Sequence, residues 1–170
     1  MAVDGEKRIV IVGGGAAGLF AGALLGAARA AGRHEGQIIV LERQDRVGRK
    51  LLATGNGRCN LTNARLDPAR FHQVGKDERS RHRMEGILDA FPLKATLETW
   101  RAMGLVPVEE GEGKIYPASG QSSAGLDLLR VECDRHGVQT RCATEVISRD
   151  GQGVSERIRR CRATGRPLYA

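Results

Sequence analysis

Residues 8–18 read Arg-Ile-Val-Ile-Val-Gly-Gly-Gly-Ala-Ala-Gly, and this stretch decides the fold. The β-branched run stops at once at three glycines, which is typical of a short buried parallel strand that ends in a tight turn. Residues 16–31 follow without a proline and carry leucines among many alanines, a pattern that predicts a helix ending near Gly32. The apolar pattern returns at Gln37 to Leu41, so the first forty residues predict a βαβ unit.

Gly13, Gly15 and Gly18 fit the G-x-G-x-x-G pattern of dinucleotide-binding turns. In that pattern the first glycine makes the tight turn, the second lets a diphosphate approach the backbone, and the third lets the helix lie close on the strand. The N-terminus of the helix offers unpaired N–H groups and about half a positive charge to the phosphates. Glu42, directly after the second strand, can accept hydrogen bonds from ribose hydroxyls. Because it would repel a 2′-phosphate, it favours FAD or NAD over NADP.

Residues 9–28 also allow a different interpretation, because they carry no charge and have glycines at every fourth position from 14 to 26. Such a ladder can form the contact face of a transmembrane helix, or belong to a signal sequence. The six glycines and six alanines of the segment make it poorly apolar for a bilayer. We therefore favour a nucleotide site without membrane association, and a small membrane-anchored protein is the alternative.

Composition narrows the class of protein further. The chain has 170 residues, 41% of them hydrophobic and 28% charged, which suits one compact α/β domain. The net charge of +7 is not interleaved with aromatic residues, which predicts no nucleic-acid partner. The four cysteines lack metal-ligand spacing, so we expect no metal site and interpret them as reduced thiols of a cytoplasmic protein.

Three segments carry a resemblance to a known family. Residues 47–63 read VGRKLLATGNGRCNLTN, residues 113–123 read GKIYPASGQSS, and residues 13–19 read GGGAAGL. Together they resemble the bacterial BaiN/YhiN-like NAD(P)/FAD-dependent oxidoreductases, which include aminoacetone oxidase-like flavoproteins, in continuous order over about residues 8–148. The resemblance implies a Rossmann-like FAD-binding core, an oxidoreductase acting on a small-molecule substrate, and NAD(P)H as a candidate electron donor.

The resemblance also implies which residues contact FAD. The turn and helix start would hold the diphosphate, Glu42 the ribose, and the loop at 54–60 would pass beside the flavin. The predicted cofactor-binding residues are Gly13, Gly15, Ala16, Ala17, Gly18, Glu42, Arg43, Arg49, Lys50, Thr54, Gly55, Asn56, Gly57, Arg58, Cys59, Asn60 and Val146. No residue is assigned as catalytic acid, base or nucleophile, and Cys59 is interpreted as a packing thiol rather than a redox partner.

The chemistry of the loop at 54–60 is consistent with a ligand site by itself. Glycines and an asparagine tolerate the positive φ angles that a loop around a ligand needs. Arg49, Lys50 and Arg58 can neutralise phosphate charge. Without the resemblance, the alternative is a solvated basic loop.

The rest of the chain predicts a smaller insertion and a return to the nucleotide-binding core. Residues 64–83 are polar and predict a loop. Beyond them the patterns predict helices at 84–91, 93–104 and 122–136, a hairpin of 105–108 and 114–116 around an acidic tip interpreted as solvated, and strands at 138–142 and 145–148.

These elements predict four regions along the chain. They are a first part of the FAD-binding domain (1–63), a helical and hairpin insertion (64–119), a continuation of the FAD-binding domain (120–150), and an atypical Arg-rich tail (151–170). Because Arg159 to Arg162 cannot form the buried strand that the family has there, we interpret the chain as an incomplete family member. We expect it to retain FAD weakly or not at all and to show no efficient turnover, and the second hypothesis for its function is a non-catalytic nucleotide-binding remnant.

Overall fold

A computed structural model describes residues 7–71, 77–150 and 153–158. The chain divides into two compact units, one formed by residues up to 53 and from 126 onward, the other by residues 54–125. The predicted insertion at 64–119 lies within the second unit. The described helices and strands are β1 (Arg8–Val12), α1 (Ala16–Ala30), β2 (Gln37–Leu41), α2 (Arg49–Ala53), β3 (Thr62–Asn63), α3 (Glu78–Ala90), α4 (Leu93–Ala102), β4 (Pro107–Glu109), β5 (Lys114–Pro117), α5 (Ser122–Arg135), β6 (Gln139–Arg141), β7 (Thr144–Asp150) and β8 (Gly153–Ile158).

The first unit is built on a parallel sheet with strand order β1-β2-β6. β1 pairs with β2 over five residues, from Arg8 opposite Gln37 to Val12 opposite Leu41. Both strands have the predicted limits, and the connecting helix ends one residue before the predicted position, so the βαβ unit is confirmed. The prediction that the first strand is buried is wrong, because β1 lies at the edge of the described sheet and its residues are exposed or half-buried, with Val12 61% exposed. The apolar run of β2 is buried from Ile38 to Leu41, as expected for the middle strand of a parallel sheet.

The glycine ladder at 14–26 serves packing inside the first unit. Gly22 and Gly26 are buried on α1. A Cβ at Gly22 would lie 3.3 Å from the side chains of both Cys133 and Val40, and one at Gly26 would lie 2.7 Å from His136. Segment 9–28 is thus divided among a strand, a turn and a helix. Across the described ranges, none of the helices combines the length and apolar character needed to cross a membrane.

The second unit contains the predicted hairpin. β4 and β5 pair antiparallel, with Val108 opposite Tyr116, and a tight turn at 111–113 joins them. A third strand, β3, pairs with the other edge of β5 and was not predicted, because two residues are too few to show an alternating pattern. Trp100 on α4 is buried and belongs to the core.

Helix α3 begins six residues before the predicted position, at Glu78 instead of Met84, so the prediction of a loop up to residue 83 is wrong in this part. Asp77 is the N-cap, and its carboxylate accepts a hydrogen bond from the Ser80 N–H at 2.7 Å. No described side chain of α3 is buried. The early turns of the helix therefore carry no apolar period by which the sequence could have shown them.

The end of the described chain also differs from the prediction. β7 extends to Asp150 and pairs antiparallel with β8, so residues 153–158 form a strand within the region interpreted as an atypical tail. The register shifts between Val146 and Ser148. The prediction about Arg159 to Arg162 lies outside the described residues.

Leu129 on α5 is fully buried, whereas Val131 on the same helix is 57% exposed. Leu129→Ala is therefore expected to lower the free energy of unfolding by about 2–5 kcal/mol, because it leaves a cavity in the core. Val131→Ala is the matched control and should change it by less than about 0.5 kcal/mol. Urea unfolding followed by circular dichroism measures both, and equal effects of the two variants would contradict the packing described here.

Candidate dinucleotide-binding site

The turn between β1 and α1 has the geometry that the three fingerprint glycines predict. Gly13 has a φ of +102°, a conformation that L side chains rarely adopt, and its N–H donates to the Leu41 carbonyl at 2.7 Å. A Cβ at Gly18 would lie 1.9 Å from the Gly13 carbonyl oxygen. Gly13 is thus required by the turn and Gly18 by the contact between helix and turn.

Gly15 has a different environment from the other two. Its φ of −82° is open to any residue, and no described atom lies within 4 Å of the position that a Cβ would take. The packing of the described residues therefore does not demand a glycine here. Open space beside a backbone turn is the feature that the second fingerprint glycine provides for a diphosphate.

The N-terminus of α1 faces this turn without a side-chain cap. Gly15 is the N-cap, and among the described residues no side chain caps the helix by a hydrogen bond. Ala16 and Ala17 of the first turn are exposed, and no acidic residue lies among them. The 15-residue helix therefore presents free N–H groups and the positive end of its dipole, which is a favourable site for an anion.

Glu42 follows β2 and lies beside the turn. Its carboxylate accepts hydrogen bonds from the Gly14 N–H and from the Gln44 N–H, each at 2.8 Å. The first bond spans 28 residues and joins the ends of both strands. Because a carboxylate has about four lone-pair positions, these two bonds leave acceptor capacity for ribose hydroxyls. The structure thus places Gly13 to Gly18 and Glu42 together within the first unit.

The basic residues after β2 are exposed to solvent. Arg43, Arg49 and Lys50 are all exposed, and the Arg49 guanidinium donates to the Gln44 side chain at 3.2 Å. The predicted adenine-side residue Val146 is half-buried on β7. Cofactor contacts of these four residues stay predictions.

The loop at 54–60 belongs to the second unit and has the predicted backbone conformation. φ is positive at Gly55, Asn56, Gly57 and Cys59, with values from 54° to 83°. The loop is closed by a hydrogen bond from the Cys59 N–H to the Thr54 carbonyl at 3.1 Å. Thr54, Asn56 and Asn60 are exposed.

Cys59 is buried within this loop, and its Sγ lies 3.2 Å from the position of a Cβ at Gly125. Burial raises the pKa of the thiol, an effect only partly offset by a hydrogen bond with Thr54. A buried thiol with a raised pKa holds little thiolate at neutral pH and is a poor nucleophile. These observations support the interpretation of Cys59 as a packing residue.

Arg58 has a partner that the sequence analysis missed. Its guanidinium makes a two-pronged ion pair with Glu110 at the end of the hairpin, with one N–H donating at 2.9 Å, and it stacks over the Tyr116 ring at 4.3 Å. The acidic tip interpreted as solvated thus uses one of its carboxylates to hold the loop, and a second, Glu112, pairs with Lys114 at 2.5 Å. The opposite charges of Arg58 and the hairpin were visible in the sequence, but nothing in the chain order indicated that they meet.

Together these features define a class of protein, a Rossmann-type dinucleotide-binding domain. The chain belongs to the HI0933-like family, whose Rossmann-domain model matches residues 7–162. The resemblance to the BaiN/YhiN-like flavoproteins is thereby confirmed, and with it the family class of FAD-dependent oxidoreductases. The match extends 14 residues beyond position 148, where the sequence analysis ended the resemblance.

Curated relatives carry two kinds of name. The chain is 41% identical over 133 residues to the 3-dehydro-bile acid delta(4,6)-reductase of Clostridium scindens, a match that covers 78% of this chain and 30% of that protein. It is 29% identical over 139 residues to the ribosomal RNA dihydrouridine synthase of Escherichia coli, covering 82% and 32%. The protein of that name from Haemophilus influenzae is 26% identical over 150 residues, covering 88% and 34%. The chain thus spans about a third of the length of these relatives.

Solved structures resemble the chain more distantly. Thermovibrio ammonificans THI4 aligns with a TM-score of 0.49 at 15% identity, over 89% of this chain and 45% of that one. A flavocytochrome c3 fumarate reductase aligns with a TM-score of 0.46 at 18% identity, over 89% of this chain and 31% of that one.

Because two of the curated relatives are named for ribosomal RNA, the absence of a nucleic-acid partner stays a prediction.

The ion pair between Arg58 and Glu110 generates a prediction about titration. The hydrogen bond from Arg58 lowers the pKa of the Glu110 carboxyl below its ordinary value, so the pair stabilises the folded chain at neutral pH and is lost as the pH falls through that lowered pKa. Arg58→Gln should return the Glu110 pKa toward its ordinary value in a carboxyl titration followed by NMR.

Lys114→Gln is the matched control for this titration. Lys114 lowers the pKa of Glu112 in the same hairpin, so its replacement should raise the pKa of Glu112 and leave that of Glu110 in place. An ordinary pKa for Glu110 in the unaltered chain would show that the pair does not form in solution.

Proposed function

We propose that the chain is the FAD-binding part of a flavin-dependent oxidoreductase. The observation that carries this proposal is the open space at Gly15 beside the uncapped N-terminus of α1. Free N–H groups, a helix dipole and a turn without side chains together suit a diphosphate. The carboxylate of Glu42, at the same end of the sheet, suits the adjoining ribose and would repel a 2′-phosphate.

In this proposal each residue has a part in holding the cofactor. The amides at Gly15 to Ala17 bind the diphosphate, Glu42 binds the ribose, and the loop at 54–60 with Arg43, Arg49, Lys50 and Val146 supplies further contacts, as the family resemblance implies. Bound FAD supplies hydride and electron transfer, while the protein supplies position and electrostatics. NADH or NADPH is the proposed electron donor, and a cytoplasmic location remains part of the proposal.

The names of the relatives favour reduction of a carbon–carbon double bond. One relative is a reductase of the delta(4,6) bonds of a 3-dehydro-bile acid, and the others make dihydrouridine, which is uridine with its ring double bond reduced. Both substrates have the double bond in conjugation with a carbonyl group. We infer that the full activity is hydride addition to such a bond of a small molecule, and the relative with 41% identity favours an alicyclic enone over a nucleobase.

Gly15→Ala tests the proposed diphosphate site. The methyl group has room in the structure, and the backbone conformation at position 15 is ordinary. We therefore expect the free energy of unfolding to change by no more than about 1 kcal/mol. The binding of ADP, by contrast, should weaken about tenfold or more, because the methyl group occupies the space of the diphosphate. Isothermal titration with ADP and FAD measures the binding.

Gly86→Ala is the control, because Gly86 lies in α3 of the second unit with no described atom within 4 Å of its Cβ position. It should leave ADP affinity unchanged. If the folded chain gives no heat with either ADP or FAD, the nucleotide site is wrong. If FAD binds but neither NADH nor NADPH bleaches the oxidised flavin, the hypothesis of a non-catalytic nucleotide-binding remnant gains over the oxidoreductase.

A further inference from the structure

The G-x-G-x-x-G pattern gives roles to Gly13, Gly15 and Gly18 but none to Gly14. Gly14 is nevertheless buried. A Cβ at Gly14 would lie 2.5 Å from Cγ1 of Val47 and 3.1 Å from Cβ of Glu42. A side chain there would therefore collide with the segment that follows β2. We call residues 42–48 the clasp segment.

Both backbone polar groups of Gly14 are bonded to the clasp segment. The Gly14 N–H donates to the Glu42 carboxylate, and the Gly14 carbonyl accepts from the Gly48 N–H, each at 2.8 Å. Val47 fills the space between these two bonds and is only 7% exposed. The middle of the glycine turn is thus held on three sides by Glu42, Val47 and Gly48.

The clasp segment is itself fixed from its other side. The Glu42 carbonyl accepts from the Thr144 N–H at 2.8 Å, and the Gln44 carbonyl accepts from the Ala143 N–H at 2.6 Å. Gly48 packs against Leu126, whose Cδ1 would lie 2.2 Å from a Cβ at position 48. These contacts hold the clasp segment in place. A change in the contact between Gly14 and Val47 therefore displaces the glycine turn rather than the clasp segment.

We propose that Val47 is a positioning residue for nucleotide binding. Its side chain sets the distance between the amides of the glycine turn and the carboxylate of Glu42. These two groups contact neighbouring parts of one ligand, a ribose and its diphosphate, so their spacing must match the covalent structure of the ligand. Val47 need not touch the nucleotide in this role. The inference rests on the proposed function, which supplies the ligand.

The test is a double-mutant cycle with Gly14→Ala, Val47→Ala and the variant that combines them. The first substitution adds a methyl group to the contact and the second removes two, so the double variant loses one methyl group in total, half the loss of Val47→Ala, without the overpacking of Gly14→Ala. Each single variant should weaken ADP binding about tenfold, because the turn shifts relative to Glu42. The double variant should bind ADP more tightly than either single variant, because Val47→Ala removes the 2.5 Å collision.

Titration calorimetry with ADP is performed on each folded variant, with circular dichroism confirming the fold. Unchanged ADP affinity in folded Val47→Ala would overturn the proposal, since a purely structural valine affects stability and not the affinity of the folded protein. A double variant that binds more weakly than both single variants would also overturn it.

Amide hydrogen exchange without ligand separates this inference from the proposed function. Val47→Ala should speed exchange at Gly14, and the double variant should slow it again. If the unaltered chain binds no ADP, the proposed function fails, while the exchange rates still decide whether Val47 holds the turn. Equal exchange at Gly14 in all four proteins would overturn the positioning role even where ADP binds.

Discussion

The glycine turn of the first unit depends on close contacts between backbone segments, which are possible because glycine has no side chain. The Gly13 N–H reaches the Leu41 carbonyl, and the first turn of α1 passes so close to Gly13 that a methyl group at position 18 would lie 1.9 Å from its oxygen. With these contacts the end of β1, the end of β2 and the start of α1 meet at one point. The free helix N–H groups and the Glu42 carboxylate lie beside each other as a result, and these are the groups that a ribose diphosphate requires.

The basic residues predicted to contact the cofactor have two different environments in the structure. Arg58 is engaged by Glu110 and Tyr116 within the second unit, so its guanidinium stabilises the strained loop at 54–60 that carries it. Arg43, Arg49 and Lys50 in the first unit are exposed. A diphosphate at the glycine turn would therefore be neutralised chiefly by amides and the helix dipole, which are fixed in place and lose no side-chain entropy on binding.

The family relationship separates cofactor binding from substrate choice. The relatives that share this third of their length are named for reactions on a bile acid and on ribosomal RNA, although both names describe a reductive step. Relatives that share a nucleotide-binding region but act on different substrates are expected when the fold binds the cofactor and residues elsewhere determine the substrate. The proposed reduction of a conjugated double bond rests on the reductive step that both names describe.

The sequence by itself determined the βαβ unit, because the period of apolar residues and the position of glycines are local properties. For that reason the sequence could predict the limits of β1 and β2, the positive φ at Gly13 and in the loop at 54–60, and the hairpin. Only the tertiary structure decided that Gly14 is held by Val47, that Arg58 pairs with Glu110 across 52 residues, and that residues 153–158 form a strand. The first two depend on segments that are distant in the chain and meet only after folding, and a local pattern contains no information about which distant residue will arrive. The strand at 153–158 pairs with β7 directly before it, but its polar and charged residues give too weak an apolar pattern to predict a strand.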